Sequence, residues 1–163
     1  MRLQLPRYGS SGAGATPTAD LADIPPVHTV DLPDSVAAVT HEHAGVFTGL
    51  YIQGFDRVRQ HRGDGLETAL GLCADEAPER PLFFIDGDHS AEAVTKELLR
   101  VTTEVPAATV LMHDTCSYDD ANPSGPGQAL RQLLLRNGRY NVLELKSQTG
   151  MTRLTPRRDH DNQ

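Results

Sequence analysis

Apolar residues fall in short bursts along the chain, and the bursts alternate between two periods. Val27 to Val30 makes a short strand pattern that ends at Asp31. Asp34 is placed to cap a helix running to His43, with Gly45 as its stop. Val46 to Gln53 reads as the next strand, and the charged stretch from Arg57 to Gly63 reads as a loop. Asp64-Gly65-Leu66-Glu67 fits a capping box, and Leu66, Ala69, Leu70 and Cys73 then share one helical face until Pro78. Leu82 to Ile85 is a continuous apolar run after Pro81, the pattern of a strand buried on both faces. Ala91, Val94, Leu98, Val101 and Val105 repeat at three and four, which predicts an amphipathic helix ended by Pro106. Ala108 to Met112 is a second buried strand, followed by a polar loop from Asp114 to Pro126. Ala129, Leu130, Leu133 and Leu134 predict a helix stopped by Asn137-Gly138. Tyr140 to Lys146 and Met151 to Thr155 close the pattern as a hairpin around Ser147–Gly150.

Strand and helix thus alternate before a terminal hairpin. That order predicts an α/β fold: a Rossmann-like, doubly wound, mostly parallel sheet with a C-terminal antiparallel β-hairpin. The α/β unit covers residues 27–155, between a Gly/Ala/Pro-rich segment at 1–26 and a polar tail at 156–163. Ligands of such sheets lie outside the carboxyl ends of the strands. The rule selects Asp31, Gln53-Gly54, Asp86-Gly87-Asp88-His89 and His113-Asp114 as one rim.

Composition narrows the classes. The chain has 163 residues, of which 38% are hydrophobic, enough for one packed domain. Its formal charge of -7 argues against a nucleic-acid partner, which needs a basic footprint. No apolar stretch approaches the ~20 residues that span a bilayer, and no signal-peptide core is visible, so no membrane partner is expected. Two cysteines make no disulfide framework, and the expected setting is a reduced cytoplasm.

Two clusters carry chemistry. Phe84 to Ser90 ends a strand in two carboxylates and an imidazole, and Leu111 to Thr115 repeats the design on a strand expected to lie beside it. Together they would gather Asp86, Asp88, His89, His113 and Asp114. Oxygen ligands of this kind suit Mg²⁺, Mn²⁺ or Ca²⁺, and imidazole also suits Zn²⁺ or Fe²⁺. Asp88 or Ser90 could instead serve only as a helix cap. His41-Glu42-His43 reads as a solvated helix end and Cys73 as core. Cys116 could be reactive if exposed near a cation; Arg57, Arg59, His61 and Arg62 read as a solvated basic loop or a contact for an anionic substrate; and Asp119–Pro123 reads as an acidic loop beside the site that could serve as an acceptor lid.

From Pro81 to Thr155 the sequence resembles class I S-adenosylmethionine-dependent methyltransferases. The nearest subgroup is the small-molecule O-methyltransferases and cephalosporin-hydroxylase-like proteins. Their fourth strand typically ends in Ile-Asp-Gly-Asp-His-Ser, as Ile85 to Ser90 does, and their fifth in His-Asp, as His113-Asp114 does. The resemblance implies that Asp86 binds metal or faces donor and acceptor, that Asp114 is the second metal ligand, and that His89 is the general base. It places Asp31 at the ribose hydroxyls and Gln53-Gly54 in the adenine-side loop. The family often carries Gly-Asp-Ser in that loop; Gly54-Phe55-Asp56 stands here. The donor loop departs further. Its counterpart, Gln4 to Ser11 with Gly9 and Ser11 as donor contacts, has an amide for the usual acid and Pro6 for a glycine.

The implied activity is methyl transfer from S-adenosylmethionine to a hydroxyl of a small molecule. Mg²⁺ at Asp86, Asp88 and Asp114 would assist, and His89 or His113 would take the proton. Two other readings stand beside it: a truncated, non-catalytic methyltransferase-like domain, and a metal-dependent hydroxylase or hydrolase on the same scaffold. Sheet edges and a short core are compatible with a homodimer.

Overall fold

The computed structural model describes residues 25–31, 55–116, 124–136, 138–145 and 149–157. The chain enters at β1 (Val27–Asp31) and continues with β2 (Val58–Arg62) and α1 (Gly65–Glu76). β3 (Leu82–Ile85), α2 (Ala91–Glu104), β4 (Thr109–His113) and α3 (Gly125–Arg136) follow. β5 (Tyr140–Leu145) and β6 (Met151–Pro156) complete the order.

Two sheets result. β1 and β2 form a parallel pair, and the other four strands lie in the order β3-β4-β6-β5. β3 and β4 are parallel, whereas β6 runs antiparallel to both β4 and β5. The hairpin expected at the end of the chain therefore folds back, with its second strand between β4 and β5. The fold is mixed α/β, and the four-stranded sheet is itself mixed.

The core follows from register. Residues opposite each other in a ladder share a face. Phe83 and Ile85 lie beside Val110 and Met112, which lie opposite Leu154 and Thr152. Val94, Leu98 and Val101 of α2, and Ala129, Leu130 and Leu133 of α3, pack with Val110, Met112 and Leu154 in one buried cluster. Leu98, Val110, Met112 and Leu154 are completely buried. Truncating such a leucine to alanine costs about 2–5 kcal/mol.

Two expectations need correction. Arg57–Gly63 is no loop; five of its residues form β2. Its polar sequence hides the strand because Arg59, Gln60 and Arg62 are exposed, while Val58 and His61 are half-buried. The pairing with β1 stacks His28 on His61, with ring centroids 5.2 Å apart. β3, expected to be buried on both faces, is the outer strand of its sheet among the described residues, and Leu82 is 52% exposed. Its core face holds Phe83 and Ile85. The opposite face holds Leu82, exposed, and Phe84, half-buried. The expected helix at 34–43 and strand at 46–53 lie outside the described residues.

The starts of α1 and α2 are capped by residues that the sequence singles out. Asp64 Oδ1 accepts the Glu67 N–H at 2.9 Å and starts α1. Ser90 Oγ accepts the Ala93 N–H at 3.2 Å and starts α2. Arg100 of α2 then grips Glu67 of α1 through two nitrogens, at 2.7 and 3.2 Å, and also pairs with Glu104. This clamp ties the helix that follows β2 to the helix that follows β3. Among the described residues, no helix is long and apolar enough to cross a membrane.

Candidate active site at the ends of β3 and β4

Parallel pairing of β3 with β4 puts their carboxyl ends side by side. Asp86 and His113-Asp114 are thereby neighbours, and the turn after β3 brings His89 back over them. Asp86 Oδ1 lies 3.1 Å from His113 Nδ1 and 3.4 Å from His89 Nε2. Asp114 Oδ1 lies 3.1 Å from the same His113 Nδ1, and its Oδ2 lies 3.1 Å from His89 Nδ1. Two carboxylates and two imidazoles thus alternate around a closed ring. His113 Nδ1 and Asp114 Oδ1 are both out of contact with water, yet neither is aligned for a hydrogen bond. The two atoms are close without a directed hydrogen bond.

The first turn of α3 holds the ring from behind. Ser124 Oγ donates to the Asp114 carbonyl at 2.6 Å and accepts the Gly127 N–H at 3.1 Å. Asp114 sits at φ 53°, a left-handed conformation that aspartate tolerates better than most side chains. A Cβ at Gly125 would stand 2.0 Å from the His89 carbonyl oxygen, and one at Gly127 would stand 2.7 Å from that of Thr115. Both glycines let α3 touch the two strand-end turns. The pattern predicts a loop through Pro126, whereas α3 already starts at Gly125; the sign is Ser124-Gly125-Pro126-Gly127, a polar cap followed by proline in a first helical turn.

The terminal hairpin closes the other side. Thr149 Oγ1 lies 3.2 Å from His113 Nε2. The Cys116 N–H donates to the Thr149 carbonyl at 3.0 Å, and Gly150 at φ 78° leaves no space for a side chain beside Cys116. Neither Thr149 nor Ser124 stands out in the sequence, because each is a hydroxyl in a polar turn.

Asp88 departs from its expected place. Its Oδ1 accepts the Ser90 N–H at 2.7 Å, and this bond, first of all, lowers its carboxyl below the usual range. Asp88 therefore braces the start of α2 and stands outside the ring. Among the described residues, no group of three or more His, Cys, Asp or Glu is arranged to hold a metal ion. The two imidazoles already meet the two carboxylates, so the metal expected at Asp86, Asp88 and Asp114 has no matching donor set there.

Asp31 ends β1, and its Oδ2 accepts from Gln60 Nε2 at 3.2 Å. The Gly63 N–H donates to the Asp31 carbonyl at 2.9 Å. The loop at the carboxyl end of the strand beside β1 is therefore Gly63-Asp64. Gly9, Ser11, Gln53 and Gly54 lie outside the described residues, as do His41-Glu42-His43 and the 119–123 loop. Cys73 is half-buried, and burial pushes its thiol up; Cys116 is exposed. Arg59 of the basic stretch is engaged with Glu76 at 3.1 Å.

Comparison with known proteins gives fold-level likeness only. No family model matches the sequence, and no curated protein matches it. The SAH-bound methyltransferase PaMTH1 of Podospora anserina aligns at a TM-score of 0.51 with 18% identity, over 82% of this chain and 61% of that one. A protein from Corynebacterium glutamicum aligns at 0.51 with 13% identity, over 83% of this chain and 62% of that one. The chain spans about three fifths of the length of these solved proteins. The α/β arrangement is thus one that a methyltransferase structure also carries.

Proposed function

We propose that this chain carries the catalytic end of an S-adenosylmethionine-dependent methyltransferase acting on a hydroxyl of a small molecule. The observation that carries the reading is the ring of Asp86, His89, His113 and Asp114 at the ends of two adjacent parallel strands. Fold likeness to an SAH-bound methyltransferase supports the same cofactor here.

The side chains have distinct parts in this reading. Asp114 Oδ2 faces His89 Nδ1 and fixes that nitrogen as the protonated one. His89 Nε2 is then left to take the acceptor's hydroxyl proton, with Asp86 Oδ1 at 3.4 Å available to orient the hydroxyl. The proton passes to His89 as the acceptor oxygen forms its bond to the methyl carbon and the carbon–sulfur bond breaks. S-adenosylmethionine supplies that electrophilic methyl group; the protein supplies alignment and a base. His89 is 44% exposed at its side chain, so an acceptor can reach it. Asp31 and the Gly63-Asp64 loop lie at the ends of β1 and β2. They are the proposed ribose and adenine contacts, with Gly63-Asp64 taking the part expected of Gln53-Gly54.

The test is transfer of an isotopically labelled methyl group to a panel of simple mono- and dihydroxylated aromatic and aliphatic compounds, with Mg²⁺ and with a chelator. Label in a methyl ether, equal under both conditions, supports the reading. Transfer that needs the metal would restore Asp86 and Asp114 as its ligands. Binding of the donor without transfer to any acceptor would favour the non-catalytic reading.

A further inference from the structure

The structure assigns Thr149 as the hydroxyl that donates to His113 Nε2 and so reinforces the tautomer with its N–H at Nδ1, facing the Asp86/Asp114 pair. The assignment of Thr149 to catalysis rests on the methyl-transfer reading; the proton placement does not.

Three observations converge on Thr149. Its Oγ1 lies 3.2 Å from His113 Nε2, the nitrogen that points away from the carboxylates. The other nitrogen, Nδ1, has Asp86 Oδ1 and Asp114 Oδ1 as neighbours, each at 3.1 Å. Carboxylates only accept, so an N–H at Nδ1 is attracted by both, whereas a lone pair there is repelled by both. Neutral imidazole then has its lone pair at Nε2, and the Thr149 O–H donates to it. The third observation is how firmly Thr149 is held. Its carbonyl accepts the Cys116 N–H at 3.0 Å, and Gly150 packs against Cys116 so closely that an added Cβ would meet its sulfur at 2.4 Å. The hairpin turn is thereby pinned to the segment just after His113-Asp114. Donor and acceptor keep their relative positions without the substrate.

The consequence runs through the ring. With Nδ1–H turned to Asp86 and Asp114, His113 neutralises part of their mutual repulsion. Asp114 Oδ2 stays directed at His89 Nδ1, at 3.1 Å. Thr149 acts as a positioning residue, and His113 thereby turns the positive end of its N–H dipole to the carboxylates rather than serving as a second base. Residues that orient a reactive group at one remove are worth about 10–100-fold in activity.

The experiment is side-chain ¹⁵N NMR of the whole chain at a pH where imidazoles are neutral, with His113→Gln identifying the His113 signals. The wild type should show His113 protonated at Nδ1 and bare at Nε2. Thr149→Val should shift the two nitrogens toward a mixture, and Thr149→Ser should restore the wild-type pattern. A wild-type His113 protonated at Nε2, or a pattern unchanged by Thr149→Val, would overturn the assignment. On the methyl-transfer assay, Thr149→Val should lower kcat about tenfold with KM for the donor unchanged, and Thr149→Ser should recover it. Loss of transfer in the wild type would defeat the functional reading and leave the NMR result standing by itself.

Discussion

The carbonyl oxygen of His89 fills the space that a side chain at Gly125 would need: an added Cβ would lie 2.0 Å from it. The first turn of α3 and the turn that carries the proposed base are therefore packed backbone to backbone. Gly125→Ala must push one of them away. Overpacking of this kind costs about 1–3 kcal/mol. The expected result is a lower Tm together with a fall in methyl transfer larger than the fraction unfolded explains. Gly138→Ala, where a Cβ meets nothing within 4 Å, is the control expected to leave transfer unchanged.

His89 and Asp114 should behave as one unit. Removing a positioned general base typically lowers the rate about 10²–10⁴-fold. His89→Gln is expected in that range on kcat. Asp114→Asn should lose a comparable factor, because the amide can present an N–H to His89 Nδ1 and so favour the wrong tautomer. The double variant should be little worse than either single one, as groups that act together are strongly non-additive. Independent, multiplying losses would separate the two residues.

Arg100 tests how the two sheets are held together. Its forked contact with Glu67 joins α1 to α2, and Glu67 is in turn held below the usual carboxylate range, chiefly by that hydrogen bond. The pair is solvent-accessible, and such pairs contribute little to stability. Arg100→Ala and Glu67→Ala in a double-mutant cycle should give a small favourable coupling that shrinks in high salt. No coupling would mean that β1, β2 and α1 are held to the rest by other contacts.

Glu97 gives a stability change with a known sign. Burial pushes its carboxyl above the usual glutamate range, and Asp88 and Asp64 add repulsion. An acid whose folded value is raised favours the protonated form in the fold. Its contribution is complete below the unfolded value, about 4.3, and is lost as pH rises through the folded value. At neutral pH the charge is a cost, so Glu97→Gln should raise Tm there. The gain should vanish as pH falls below the ordinary carboxylate range. A Tm difference that is constant with pH would contradict this origin.

How much was legible in the sequence depended on contrast between neighbouring positions. Leu98 and Val94 stand out at helical spacing among polar residues, and α2 lies where the period puts it. Asp86 and His113-Asp114 follow continuous apolar runs, so their meeting at adjacent strand ends followed from βα alternation alone. β2 was missed because its buried positions, Val58 and His61, are separated by polar residues and one is itself polar. The same polar run hides that Gly63-Asp64 follows the strand paired with β1, beside Asp31. The placement of β6 between β4 and β5 was equally hidden, since a hairpin sequence specifies its own pairing but not which strand it joins. Asp88 looked like a ligand by composition, yet the Ser90 N–H two residues away offers it a closer partner. Thr149 needed the third dimension altogether, being 36 residues from the histidine it touches.

The central claim is most directly tested by calorimetric titration of the chain with S-adenosylmethionine, comparing wild type with Asp31→Ala. The Asp31 carboxylate, the proposed ribose contact, meets Gln60 at an exposed position, so the variant should keep its circular dichroism. The account predicts micromolar binding by the wild type and at least tenfold weaker binding by the variant, a loss of about 1.4 kcal/mol or more. A wild type that does not bind the donor, or a folded Asp31→Ala variant that binds it equally well, would contradict the account.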